Sequence, residues 1–281
     1  MNFVKKLVAL SVITALSIGV ATTSMAAELT VKSKHFVTGV VSVDLPDFTG
    51  GAGSSVIDAA VTVIAAKNVA NSLESVIPNG KVYNTEEFVS LVKDEKNPVV
   101  ASQDFIKGLV QATDAALAKA AQTVGKNARV DKYYVDCRYD VYTATPKLLS
   151  FRQLTMSNTG GAHANLNVAT NTVNMKSGKY LSLSELFIAN SDYKERLEWI
   201  IDKQQKSVNR MCADLGRPTV DYKKVKITGK ELFCYDTKNL ANWSLIIYYN
   251  PGEIAPISAG LVQYRIPMEL ILDIVDDANL K

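Results

Sequence analysis

From Asp131 to Thr143 the chain alternates between apolar and polar side chains almost without fault. In "YYVDCRYDVY" the residues Tyr133, Val135, Cys137, Tyr139 and Val141 share one face of an extended backbone. A period of two marks a strand with one dry face, and such a strand needs a sheet around it and an apolar layer over it. Two more extended stretches, "KLLSFRQLTMS" and "HANLNVATNTVNM", follow on either side of the glycine pair Gly160 and Gly161. "SGKY" reads as a turn and "LSLSELF" as a short helix. Asn190 to Met211 is an amphipathic helix with Tyr193, Leu197, Ile200, Ile201, Val208 and Met211 on one side. Val220 to Tyr235 reads as a hairpin turning at Thr228-Gly229-Lys230. "NWSLIIYYN" is apolar on both faces and is expected to be a central strand, with "GLVQYRIP" as a neighbour. "PMELILDIVDD" is expected to close the chain as a helix, with Pro267 near its first turn.

Before residue 128 the pattern is helical. "SSVIDAAVTVIAAKNVANSLESVI" places Val56, Ile57, Ala60, Val61, Ile64 and Val69 close to a 3.6 period. Asn84, with Glu87 three positions on, is a capping pattern that opens a short helix through Val92. "SQDFIKGLVQATDAALAKAAQTVG" gives Phe105, Leu109, Val110, Leu117 and Val124 one face, with Gly125 placed to end it. "DLPDFTGGAGSS", from Asp44 to Ser55, reads as a loop without the lysine that a phosphate-binding loop needs. Helices first, then strands interrupted by helices, argue an α+β fold with a mainly antiparallel sheet and helices packed on one face. The expected parts are a helix-rich stretch over 27–128 and a strand-rich stretch over 129–281, packed as one unit.

Residues 1–26 read as a secretory signal peptide. Lys5 and Lys6 precede an apolar run from Leu7 to Val20, and Ser24-Met25-Ala26 sets small residues for a cut before Ala27. The expected location is periplasmic or secreted, with no membrane span once the signal is removed. Removing Lys5 and Lys6 leaves 29 basic residues against 28 acidic ones, a balance that argues against nucleic acid or an anionic membrane as partner. Three cysteines are an odd number for an exported chain. Cys137 is expected to be a buried, inert thiol on its strand's apolar face. Cys212 and Cys234 are candidates for a disulfide, although spacing alone does not fix their geometry. No cysteine or histidine spacing suits a metal, and no cofactor motif is present.

His163 is the one histidine placed to act as a base, since His35 lies near the expected start of the exported chain. There is no G-x-S-x-G, and a Cys137–His163 pair would rest on a thiol whose apolar setting raises its pKa. Asp276 and Asp277 lie at the solvated end of a terminal helix. No catalytic residue is assigned. Gly160 and Gly161 suit a bend between strands, which leaves His163 either bracing that bend or touching a ligand. "IIYYNPGEIAPISAG" sets Glu253 in a loop bounded by Pro256 and Gly260, either as a binding residue or as the cap of a long hairpin connection.

"LLSFRQLTMSNTGGAHANLNVATNTVNMKSGKYLSLSELF" resembles the signature of the extracytoplasmic domain of RsiV-type anti-sigma factors, a family also found ahead of some peptidoglycan deacetylases. "IIYYNPGEIAPISAGLVQYRIP" is similar to that family's second motif. The resemblance covers about half of the exported chain, with Gly160, Gly161, Ala162 and His163 in the first motif and Glu253, Ile254, Ala255 and Pro256 in the second. It implies a binding module that recognises lysozyme. Neither a signalling output nor deacetylase activity carries over with it. The expectation is a non-catalytic envelope binding domain for a lysozyme-like protein or another cell-wall-active protein, or for a peptidoglycan fragment. Tyr248, Tyr249, Glu253 and His163 would be its contacts. The alternatives are a cell-wall polymer-modifying enzyme using His163 as base, and a structural envelope protein.

Overall fold

The computed structural model describes residues 29–92, 96–123, 133–161, 163–237 and 243–279. The expected signal peptide, Val124, Gly125 and Ala162 lie outside these residues. The chain opens with an antiparallel hairpin of β1 (Thr30–Val37) and β2 (Val41–Thr49). Helices α1 (Ser55–Glu74), α2 (Thr85–Leu91) and α3 (Pro98–Thr123) follow. Then come β3 (Tyr133–Ala144), β4 (Leu148–Thr159), β5 (Asn165–Asn174) and β6 (Lys179–Tyr180). After a 3-10 turn at Leu183–Leu186 the chain forms α4 (Tyr193–Asp214), β7 (Leu232–Asp236), β8 (Ser244–Tyr249) and β9 (Val262–Pro267).

Two sheets result. Strands β1 to β6 lie side by side in chain order, all antiparallel except β2 and β3, which run parallel where Val41–Val43 meets Val135–Cys137. β7, β8 and β9 make a separate antiparallel sheet with β8 in its centre. The α+β class and the mainly antiparallel pairing are as the sequence predicts.

Alternation along the strands sorts the layers. The Cys137, Leu149, Phe151 and Val173 side chains join α1 and α3 in one core. On the opposite face of the large sheet, Val168 packs with Cys234, Ile246 and Tyr248 of the small one. Phe233, Leu245, Ile247 and Ile266 point the other way, onto Leu197, Ile200 and Ile201 of α4. The order is helices, large sheet, small sheet, helix. Each buried aliphatic side chain here contributes roughly 1.5–3 kcal/mol by leaving water.

α1 is apolar on most sides because the large sheet and α3 both press on it. Its length and composition would suit a membrane span, yet it is a core helix. Ser54 caps it, accepting from Ile57 N at 3.4 Å. Asp58, only 6 % exposed, accepts from the amides of Gly50 and Gly51 at 2.9 and 3.2 Å. A glycine-rich loop before a helix offers amides to an anion, and here the chain's own carboxylate supplies it.

The seam between the sheets is polar. β7 lies across the large sheet, and its outward backbone groups meet hydroxyls instead of another strand. Phe233 N donates to Thr170 Oγ1 of β5 at 3.0 Å, and Tyr235 N to Ser150 Oγ of β4 at 2.9 Å. Thr143 of β3 donates its hydroxyl to the Tyr235 carbonyl and accepts from Thr237 N at 3.2 Å. Each bond contributes about 0.5–1.5 kcal/mol, and leaving one of these buried amides unpaired would cost more.

Three sequence expectations are corrected. Residues 44–49, expected to be loop, are the second half of β2, and the helix-rich part supplies two strands. Pairing with β3 ends at Val43, so Pro46 lies where its missing N–H costs no ladder bond. The expected hairpin over Val220–Tyr235 keeps its turn, with Gly229 at φ 94°. Its first arm, however, lies along α4, where Glu198 accepts from Ile227 N at 3.0 Å. The terminal helix is instead three 3-10 turns, Met268–Leu270, Leu272–Ile274 and Asp277–Asn279. Met268, Ile271 and Ile274 are buried, and a repeat of three suits 3-10 geometry better than 3.6.

Candidate functional site

The residues expected to meet a ligand do not form one surface. His163 is exposed in the bend after β4, and its ring makes no hydrogen bond or ion pair among the described residues. The bend is shaped by Gly160, at φ 90°, whose N donates to Asn158 Oδ1 at 2.9 Å. Tyr248 and Tyr249 are 1 % and 9 % exposed and therefore present no recognition surface. Burial pushes both phenols well above their usual range. Tyr248 faces the seam between the sheets, while Tyr249 packs edge-on against Tyr264, with ring centroids 6.1 Å apart.

Glu253 is exposed, but its carboxylate is used locally. It accepts from Asn250 N at 2.8 Å, and Lys223 Nζ donates to the Gly252 and Glu253 carbonyls at 3.1 and 3.0 Å. This is the capping role. Pro256 is exposed and precedes a 3-10 turn that Gly260 ends at φ 71°. Asn250 Oδ1 accepts from Val168 N at 2.9 Å, tying this connection to β5.

The Cys212–Cys234 disulfide is not formed, since all three cysteines are free thiols. Cys234 faces the large sheet, whereas α4, which carries Cys212, covers the opposite face of the small sheet. The sheet itself separates them. Cys137 is buried as expected, and burial lifts its thiol to about 12. No group of three or more metal-ligating side chains occurs among the described residues.

A concavity lies elsewhere. An open groove of about 770 Å3 runs over the outer end of the β4–β5 hairpin, on the helix side of the large sheet. Its floor is Thr155, Ser157 and Thr159 of β4 opposite Asn165, Asn167 and Ala169 of β5. Asn68, Asn71, Ser72 and Ser75 of α1 and its end form one wall, and Ala116, Leu117 and Ala120 of α3 the other. None of the lining side chains is ionisable among the described residues. Asn71 is spent on Tyr83, donating to its carbonyl at 3.1 Å and accepting from its N at 2.8 Å. Asn68, Asn165 and Asn167 make no side-chain hydrogen bond among the described residues. Further in on the same strand faces, Gln153 and Asn171 are 6 % and 8 % exposed, and Gln153 Oε1 and Asn171 Nδ2 have no partner there. Such a surface offers amide and hydroxyl groups and no charge.

The sequence carried a sign of this groove. Every second residue of β4 runs Leu149, Phe151, Gln153, Thr155, Ser157, Thr159, from apolar to polar. Every second residue of β5, read backwards, runs Val173, Asn171, Ala169, Asn167, Asn165. One strand face that changes character partway along shows where its cover stops.

Residues 184–269 match the model of a family described as a protein of unknown function, DUF3298. Among solved structures, a DUF3298 family member from Bacteroides fragilis shares 16% identity over 89% of this chain and 95% of that one, with a TM-score of 0.53. A DUF3298 family protein from Pseudomonas aeruginosa shares 13% identity over 90% of this chain and 95% of that one, with a TM-score of 0.48. At that identity the first likeness is one of fold. No curated protein matches the chain.

Proposed function

We propose that the chain is an exported, non-catalytic binding domain of the cell envelope, and that the groove over β4 and β5 holds an uncharged, amide-bearing cell-wall fragment. The observation that carries this is the lining of the groove: side-chain amides and hydroxyls, without one ionisable group among the described residues. The Asn68, Asn165 and Asn167 amides each offer a donor and an acceptor, so such a site suits ligands that both donate and accept. The acetamido groups and hydroxyls of wall glycan do both. Catalysis is disfavoured because His163 stands exposed with no orienting partner among the described residues.

A lysozyme-like protein, implied by the resemblance to RsiV-type anti-sigma factors, is the rival occupant. Its case is weakened by the burial of Tyr248 and Tyr249 and by the local use of Glu253. Calorimetric titration of the chain, freed of residues 1–26, with a soluble N-acetylglucosamine tetramer decides between them. Saturable binding that Asn167→Leu weakens at least tenfold, about 1.4 kcal/mol, supports the groove. Absence of binding, or binding that Asn167→Leu leaves unchanged, overturns it. Submicromolar binding of lysozyme insensitive to that substitution would move the function to the protein partner.

A further inference from the structure

A second concavity, of about 560 Å3, lies on the opposite outer face of the molecule, between α4 and the segment from Tyr222 to Val225. α4 exposes Trp199 at 59 %, between the exposed charges of Glu195 and Lys203. Glu195, Trp199 and Asp202 follow at helical spacing along the groove, and Tyr222 and Lys224 face them from the other bank. Ile201 and Val225 close the bottom, both buried.

The polar groups here divide into used and unused. Glu198 holds the bank in place, accepting from Ile227 N and from Lys226 Nζ, each at 3.0 Å. Asp202 accepts from Lys206 at 2.7 Å, and Gln205 Nε2 donates to Tyr264 Oη at 2.8 Å. Glu195 and Lys224 make no hydrogen bond or ion pair among the described residues. Glu195 and Lys224 are opposite in sign, and Lys224 also acts electrostatically on Glu198. The groove also carries Glu198 and Asp202, so an anion is disfavoured there. A neutral ligand rich in hydroxyls can donate to the carboxylate and accept from the ammonium at once. Lys203 Nζ stands 5.5 Å from the centroid of the Trp199 ring. The indole left uncovered by it offers an apolar surface beside Glu195 and Lys224, and an aromatic ring with convergent polar groups is the usual make-up of a small-ligand site.

We infer that the α4 groove is a second, independent binding site for a neutral sugar ring, stacked on Trp199 and held through its hydroxyls by Glu195 and Lys224. This site owes nothing to the groove over β4 and β5, from which both sheets separate it. Its ligand needs no acetamido group.

The chain has two tryptophans, Trp199 and Trp243, so intrinsic fluorescence reads the site directly. The chain would be titrated with cellotetraose, a neutral glucose oligomer without amides. A saturable blue shift with protection from iodide quenching is expected, retained in Trp243→Phe and lost in Trp199→Ala. Glu195→Gln together with Lys224→Met should weaken binding at least tenfold without altering the far-UV spectrum. No shift at any concentration, or a shift that survives Trp199→Ala, overturns the inference. Asn167→Leu should leave this titration unchanged, so failure here and failure of the β4–β5 groove are read separately.

Discussion

Gly160 and Gly161 stand together in the sequence and do different work. Gly160 sits at φ 90°, and a Cβ there would press on the Tyr133 ring, whereas a Cβ on Gly161 would meet only the His163 carbonyl at 3.7 Å. Gly160→Ala should therefore cost more than about 1 kcal/mol of unfolding free energy, and Gly161→Ala no more than a few tenths, as chemical denaturation would measure. Equal effects would mean the bend is shaped some other way. Sequence spacing marks a turn at this pair but cannot separate its members, because the difference lies in a ring 27 positions earlier. The same limit explains the two tyrosines. A strand apolar on both faces is expected to be central, and a central strand buries Tyr248 and Tyr249 with the rest. Their hydroxyls suggest a surface only when that inference is set aside.

Among the elements, β7 departs most from what a local pattern predicts. Its five residues pair with β8 on one side and with hydroxyls of the large sheet on the other. Ser150→Ala strands the buried Tyr235 amide and removes the 2.8 Å contact with Thr172. A loss of about 1–3 kcal/mol is expected, visible as a lower denaturation midpoint, against little change for an exposed serine such as Ser177. An unchanged midpoint would show that water replaces the hydroxyl. β3, β8 and α4 can be read from pattern alone, because each has one apolar face or is uniformly buried. β2 escapes notice because Pro46 and the following glycines resemble a loop. The C-terminal turns escape notice because one heptad of apolar residues fits a period of 3 nearly as well as 3.6.

At the scale of the whole molecule, three buried cores put protons under structural control. Cys137 is raised from its usual value near 9.0 to about 12, and Tyr264 from 10.0 to about 12, both chiefly by burial. Between those limits the unfolded chain gives up protons that the folded chain keeps. It binds fewer protons, so stability falls as pH rises. Unfolding free energy should hold steady up to about pH 9 and then decline by up to about 1.4 kcal/mol per pH unit for Cys137 alone. Urea titrations across that range would measure the slope, and Cys137→Ala should reduce its first part by about half, the remainder coming from the equally buried Cys234 thiol. A slope that begins below about pH 8 would trace to other groups.

The polar seam also orders events in time. Thr170, Ser150 and Thr143 stand 63, 85 and 94 residues from the amides they receive, on three neighbouring strands. They form a row only once β3, β4 and β5 are in register. Until then β7 has nowhere to place its outer amides, and closing loops of that length is slow. The small sheet is therefore expected to close on the large one rather than the reverse.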